Sequence, residues 1–344
     1  MRSDSMLEYL RSRYEVDVAT FTLPYHSKSA GARAWRNAVR LARGRPPLFD
    51  RYSGLETQIA AQLHGPYRMA VIEHFWCAPY AAILRPQAEI LVLDLHNVES
   101  ELAATHSGAT RWPVSAAFAR FAEAYRKLER EWLPRFDLVL VASEADRRRL
   151  EHPNVWVYPN ALPEIPAPQV PEEECIVFSG NMEYHPNVEA VRWFSREIWP
   201  LIHERFPQLE WRLVGKNPEA IERMVAGGNR IAVIGPVENA VESLARAKMC
   251  VVPLRSGSGT RFKILEAWAA GRAVVSTTIG AEGLGARSGE HLLLADDATR
   301  FADAIARLLK EPELRRALGG AGRALYRERF TWQVAWQSLK EAGL

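Results

Sequence analysis

Cysteine is scarce in this 344-residue chain: Cys77, Cys175 and Cys250 are the only three, and they lie far apart. None has metal-ligand spacing, and Cys175 and Cys250 sit in apolar strand-like runs, so all three read as reduced core residues. Long apolar runs are missing too; nothing approaches the roughly 18 uncharged residues of a membrane-spanning helix. The opening MRSDSMLEYLRSRYE has neither an apolar core nor a small-residue cleavage site, so no secretory signal is expected and the chain is expected in the cytoplasm. Charge of one sign is lacking as well. Lys and Arg total 44 against 41 Asp and Glu, a net +3, too mild a balance to expect nucleic acid. Two phosphate-binding signatures are absent: there is no GxxxxGK[ST], and no strand is followed by GxGxxG. A P-loop NTPase and the usual dinucleotide fold are therefore set aside.

Hydrophobic residues make up 48% and charged residues 25%, the balance of a globular protein, and the length suits two domains. Met6, Leu10 and Tyr14 recur at helical spacing, and VDVATF (Val16 to Phe21) follows as a strand. Further strands are expected at Met69 to Glu73, Ile90 to Leu95, Asp137 to Ala142 and Val155 to Tyr158. Phe118 to Leu133 reads as a helix, and Ser143-Glu-Ala-Asp146 as a capping box opening another. Leu162 to Glu174 holds four prolines and no apolar period, which suggests an interdomain linker. Five strands follow: Cys175 to Gly180, Trp211 to Gly215, Ile231 to Gly235, Met249 to Pro253 and Ala273 to Thr277. Val188, Val191, Phe194, Ile198 and Ile202 mark one intervening helix, and Phe301, Ile305, Leu308 and Leu309 a later one. The expected fold is α/β, with two Rossmann-like parallel-sheet domains facing each other across a cleft. The domains are placed at 1–161 and 175–329, with the linker at 162–174. A C-terminal helix in 330–344 is expected to pack back on the first domain. Ligands of such sheets bind at the carboxyl ends of the strands.

The strongest chemical signal is SGSGTRFKILEAWAAG, Ser256 to Gly271, between two strands. A glycine-rich loop with Ser258, Gly259 and Thr260 runs into a helix closed by Gly271, so free N–H groups and a positive dipole end point at one spot, an arrangement suited to phosphate. Arg261 and Lys263 stand in the helix's first turn, where the dipole disfavours cations unless an anion is present. Glu266, one turn later on an otherwise apolar face, is positioned to accept hydrogen bonds from a ribose diol. Gly180, Gly215 and Gly235 close three strands where a side chain would obstruct a ligand. A nucleoside diphosphate-sugar, bound as a substrate with no cofactor, is the ligand these features suit.

Taken in order, FSGNMEYHPN (Phe178 to Asn187), LVGKNP (Leu213 to Pro218), IGPVEN (Ile234 to Asn239), the Ser256 to Gly271 unit and AVVSTTIGAEGL (Ala273 to Leu284) resemble the donor domain of glycosyltransferase family 4, retaining enzymes of the GT-B fold. DLHNVES (Asp94 to Ser100), LVLVASEAD (Leu138 to Asp146) and VYPNAL (Val157 to Leu162) extend the resemblance, which is strongest to the branch associated with exopolysaccharide assembly. It implies that Glu266 holds the donor ribose, that basic residues neutralise the diphosphate without a metal, that backbone near Val237 meets the base, and that Gly180 and Asn181 border the donor. The position eight residues before Glu266, often a second glutamate in the family, is Ser258. The usual Arg and Lys of the first donor-domain loop are absent from GNMEYHPN, which leaves the phosphate work to Arg261 and Lys263.

His96 lies just past the strand Ile90 to Leu95; the resemblance implies that it contacts the donor sugar or helps place the acceptor, the alternative being a structural histidine that caps the strand end, and His74, beside Phe75 and Trp76, is a second candidate on the acceptor side. Asp94, His96 and Glu99 make a weak alternative metal set, with one histidine and no HxxE repeat. Family members begin with a strand and a glycine-rich turn, whereas this chain starts in the helix that follows, so a misplaced start or a weakened acceptor domain is expected. The run Arg33 to Arg45, with Arg36, Arg40 and Arg43 interleaved with Trp35, Val39 and Leu41, is a basic amphipathic helix able to rest on an anionic membrane surface or simply to be solvated. The function expected is transfer of a hexosyl unit from a UDP- or GDP-sugar to a hydroxyl of a lipid-linked or polysaccharide acceptor, with retention. A non-catalytic nucleotide-sugar-binding partner and a nucleotide-sugar epimerase of related fold are the alternatives.

Overall fold

The computed structural model describes residues 11, 15–23, 29–109, 112–150, 152–257 and 261–341. Two parallel sheets dominate it. The first has four strands in sequence order: β1 (Tyr67–Glu73), β2 (Ala88–Leu95), β3 (Leu138–Val141) and β4 (Val155–Val157). The second consists of β5 (Cys175–Ser179), β6 (Glu210–Val214), β7 (Ile231–Gly235), β8 (Met249–Val252), β9 (Ala273–Ser276) and β10 (Leu293–Leu294), arranged β10-β9-β8-β5-β6-β7. Every ladder is parallel. Strands β5, β8 and β9 are buried along their whole length, as apolar strands covered by helices on both faces must be. From β5 the chain steps outward to β6 and β7, then returns to lay β8 on the other side of β5. That reversal opens a crevice at the carboxyl ends of β5 and β8, the topological switch point where open α/β sheets take ligands.

Two strand expectations are corrected. Val16 to Phe21 forms no strand: residues 15–23 carry no ladder, and Val18 is 51% exposed. A strand needs a neighbour to accept its hydrogen bonds, and here Phe21 and Leu23 instead pack their apolar side chains against the first core. In the second sheet a sixth strand, β10, joins the five expected, pairing Leu293 with Val275 and Leu294 with Ser276. Met6, Leu10 and Tyr14 lie outside the described residues.

Local chemistry explains the helices. Ser143 Oγ accepts from the Asp146 N–H at 3.1 Å and donates to Asp146 Oδ2 at 2.6 Å, capping Glu144–Arg149. The Val188 to Ile202 periodicity spans a helix, His185–Trp193, a π-helical turn, Phe194–Ile198, and a second helix, Trp199–Arg205. Pro200 sits just past the π turn; it has no N–H to continue the α pattern, and the widened turn accommodates that loss.

The proline-rich residues 162–174 run without helix or strand apart from one bridge between Leu162 and Thr331. The helix Pro312–Arg329 fastens this stretch. Tyr326 Oη donates to the Pro163 carbonyl at 2.6 Å, Arg323 Nη2 to that of Ile165 at 2.6 Å, and Arg315 pairs with Glu172 at 2.7 Å. Beyond it, Trp332–Glu341 places Ala335, Trp332 and Leu339 against Val92, Leu140 and Tyr158 of the first domain.

The same long helix packs too closely for side chains at some positions. A Cβ on Gly319 would stand 2.4 Å from the Gly271 carbonyl oxygen, whereas one on Gly320 meets nothing within 4 Å. Gly320→Ala is therefore expected to stabilise by roughly 0.5–1 kcal/mol through helix propensity, and Gly319→Ala to destabilise by about 1–3 kcal/mol through overpacking. Paired urea denaturation curves check both signs.

Candidate functional site

The site is built where β5, β6 and β8 end. After β5 the chain turns at Gly180, whose N–H donates to the Val214 carbonyl at 2.9 Å, and after β6 at Gly215, whose N–H donates to Gly235 at 2.8 Å. A Cβ on Gly215, at φ +145°, would lie 1.8 Å from the Gly180 carbonyl oxygen; one on Gly180, at φ +153°, would lie 2.7 Å from Asn187 Nδ2. The need for glycine thus already follows from neighbouring protein atoms. Asn181 ties the first loop together, its Oδ1 accepting from the Glu183 N–H at 3.0 Å and from Asn217 Nδ2 at 2.8 Å. Gly235 ends β7, and Val237, half-buried in the loop beyond, packs against the domain core.

Asn187 is the residue that sequence reasoning missed. It is 2% exposed, donates from Nδ2 to the Asn181 carbonyl at 2.8 Å, and accepts at Oδ1 from Lys263 Nζ at 3.2 Å. It therefore joins the first loop to the helix Phe262–Ala269. The only sequence signal was an asparagine after a proline in a helix's first turn, which is too common to single out. Ser256, in the loop after β8, donates to Glu189 Oε2 at 2.9 Å, making a second tie between the two segments.

Ser258, Gly259 and Thr260 lie outside the described residues. Arg261, which caps the helix, is buried with its guanidinium donating to the carbonyls of Gly257 at 2.8 Å and Ile279 at 3.1 Å. Burial holds its pKa below the usual arginine value. Two residues on, Lys263 has its ammonium 5.5 Å from the centre of the Phe178 ring. Its pKa is pushed down to about 8, first by desolvation and then by the Arg261 charge, with Glu266 opposing. Glu266 is 9% exposed, and desolvation raises its carboxyl to about 7 against the pull of Lys263. Two cations at a positive helix end and a carboxyl kept partly protonated form an electrostatically unfavourable cluster. An anion placed among them would relieve it.

Segments of the first domain face this crevice. Arg149 pairs with Glu282 at 2.9 Å, the His106 and His185 rings stand 6.0 Å apart, and a Cβ on Gly283 would touch that of Ser143. The contacts come from segments that follow β2 and β3 on one side and β5 and β9 on the other, so the carboxyl ends of the two sheets oppose each other.

On the first-domain side, His96 follows β2 and His74 follows β1. Their ring centroids are 4.1 Å apart with the planes tilted by 38°, and Trp76 stacks on His74 from beyond at 4.3 Å. The set Asp94, His96 and Glu99 is not assembled. Glu99, 4% exposed, lies beside Glu129, and burial followed by that second carboxyl raises it to about 8. Glu129 Oε1 in turn accepts from the Ser100 N–H at 3.0 Å. Among the described residues, the group with metal-ligand geometry is instead Glu73, His74 and His96.

Residues 173–311 match the family model described as glycosyl transferases group 1. The chain is 27% identical over 138 residues to an uncharacterised 44.6 kDa protein of the cps region of Klebsiella pneumoniae, covering 38% of this chain and 36% of that one. With the phosphatidyl-myo-inositol mannosyltransferase of Mycobacterium leprae it shares 33% over 141 residues, covering 39% of this chain and 37% of the relative. It thus spans little more than a third of the length of these two curated relatives. Among solved structures, sucrose-phosphate synthase from Thermosynechococcus elongatus superposes with a TM-score of 0.67 at 21% identity, over 86% of this chain and 78% of that one. Anabaena HepE, in complex with UDP and glucose, superposes with a TM-score of 0.62 at 15% identity, over 83% and 80%. With two parallel-sheet domains and opposed strand ends, the chain has the GT-B fold, and the part of it that matches the group 1 glycosyl transferase model is the second sheet with its helices.

Proposed function

We propose that the chain is a metal-independent, retaining hexosyltransferase. It moves a hexosyl unit from a UDP- or GDP-sugar to a hydroxyl of a lipid-linked or polysaccharide acceptor. The observation that carries this reading is the placement of Lys263 and Glu266 one helical turn apart at the switch point, with Asn187 holding the lysine. In this reading Lys263 and the helix N-terminus meet the diphosphate, so that charge on the leaving group is stabilised by groups already in position. Glu266 accepts from the ribose hydroxyls. Arg261 keeps the loop end in place and adds positive potential, Val237 lies near the base, and His96 reaches the sugar from the first domain. Support for a nucleotide-linked donor and a saccharide product comes from the relatives' names, which include a mannosyltransferase, a protein of a cps region and HepE bound to UDP and glucose.

A lipid-linked acceptor has support of its own. Between the helix Ala30–Arg43 and the helices Glu99–Ala109 and Val114–Trp132 lies an apolar cavity of about 310 Å³, lined by Leu48, Leu102, Phe118, Phe121 and Tyr125. On the first helix Trp35 is 72% exposed and Arg43 is open to solvent, as is Arg45 just past its Gly44 cap, while Arg40 is paired with Asp50 at 2.9 Å. An exposed tryptophan flanked by arginines suits an anionic headgroup layer, and no described helix is long and apolar enough to cross a membrane.

Glu266→Ala and Lys263→Ala are each expected to lower sugar transfer at least about 100-fold, the scale on which a preorganised charge contact contributes. Product analysis reads the outcome: donor left intact by wild type with every acceptor identifies a binding partner, and an epimer formed from donor alone identifies an epimerase. Donor binding should also move a proton. A diphosphate beside Lys263 raises its pKa from about 8, so at about pH 9, where the free group is largely neutral, UDP binding takes up a proton. Calorimetry in buffers of different ionisation enthalpy detects the uptake, and Lys263→Met removes it. For the surface helix, sedimentation with anionic vesicles should deplete the wild type, and Trp35→Ala with Arg43→Glu and Arg45→Glu should leave it in solution; equal depletion would place the contact elsewhere.

A further inference from the structure

The carboxyl ends of β1 and β2 bring together a group that sugar transfer does not call on as a unit: Glu73, His74 and His96. One ligand atom from each, a carboxylate oxygen and two ring nitrogens, lies within 4.8 Å of the other two. Glu73 Oε2 and His96 Nε2 are 3.8 Å apart. The geometry points to a binding site here for a borderline divalent transition metal, Zn²⁺ in the first place.

The backbone arranges the convergence. In the ladder Glu73 pairs with Asp94, two residues before His96. The His74 N–H continues the ladder, donating to the Asp94 carbonyl at 3.0 Å. At that residue the chain then leaves the strand with φ +72° and ψ 131°. A side chain other than glycine held there costs on the order of 1–3 kcal/mol, and such strain concentrates at functional sites. Its effect is to lay the His74 ring over His96, with Trp76 closing the far side. Two imidazoles and one carboxylate are a nitrogen-rich set, matched to Zn²⁺ and its neighbours, whereas Mg²⁺ and Ca²⁺ select all-oxygen surroundings. Ligand atoms about 2.0–2.1 Å from a tetrahedral ion stand roughly 3.4 Å from one another. The three atoms, already within 4.8 Å of one another, have to close by little more than an ångström to reach that spacing. All three residues are half-buried, which leaves an entry path and, with three protein ligands, a fourth position for water.

An ion held there takes the ring nitrogen of His96. Resting on the transfer reading given above, that makes the site inhibitory: bound Zn²⁺ withdraws His96 from the sugar.

The test uses the full chain stripped with a chelator, titrated with Zn²⁺ by calorimetry and with Co²⁺ by visible absorption. The expected result is one ion per chain, the intense visible bands of four-coordinate Co²⁺, and no heat from Mg²⁺. Glu73→Gln and His74→Ala should each weaken Zn²⁺ by at least about tenfold, since even outer-sphere partners of a metal site are worth that much. Circular dichroism and a cooperative melt confirm that the variants are folded, and Cys77→Ser should leave the affinity unchanged. Binding that persists undiminished in a His74→Ala/His96→Ala variant, bands that vanish with Cys77→Ser, or no saturable binding at all would overturn the site. In transfer assays Zn²⁺ should depress wild-type turnover and EDTA restore it; undiminished turnover with the site filled overturns the inhibitory role. The metal titration needs no donor or acceptor, so its result stands apart from whether the chain transfers sugar.

Discussion

Desolvation of charge at the helix Phe262–Ala269 is the constraint around which the second domain is organised. An ammonium shifted down and a carboxyl shifted up within one turn mean that neither group is fully compensated by its protein surroundings. A hydrophobic pair would fit the same interior with less penalty. What keeps the charges tolerable is a set of fixed dipoles: the Asn187 amide on the lysine, and the Gly257 and Ile279 carbonyls on Arg261. Those dipoles come from three separate stretches of chain, so the fold must bring the ends of β5, β8 and β9 together before the site can exist.

The strand order achieves this. Because β5 is central and the chain leaves it in one direction and returns on the other, the loops after β5 and β8 are neighbours although more than 70 residues separate them in sequence. Gly215 and Gly180 let the strand-end backbones cross within van der Waals distance. Lys263, carried by the segment after β8, can then reach Asn187, carried by the segment after β5.

Much of this was legible in the residues. Nine of the ten described strands announce themselves as short apolar runs, most plainly β5, β8 and β9, whose burial on both faces leaves no room for polar alternation. The glycine-opened helix was legible because its chemistry is local, contained in sixteen consecutive residues. What could not be read depends on partners distant in the chain. Val16 to Phe21 has the composition of a strand, but a strand is a property of a pair, and among the described residues no neighbour pairs with it. Leu293 and Leu294 are too short a run to stand out and become β10 only through Val275 and Ser276. Asn187 looks like a helix-start residue until Lys263 arrives. Glu99 looks like a ligand beside His96 until the fold turns it to Glu129. The Glu73, His74 and His96 group requires both the β1–β2 register and a positive φ at His74, neither of which a sequence states.

The chain passes between the lobes twice, and both passages lie side by side. At Leu162 it leaves the first domain and near Thr331 it returns, with the Leu162 N–H donating to Phe330 at 2.9 Å and the Trp332 N–H to Leu162 at 3.2 Å. Two strings knotted at one point act as a single pivot. A swing of one lobe about that pivot would make or break the pair between Arg149 and Glu282, so the same two crossings that join the lobes leave the ion pair between them free to act as a latch.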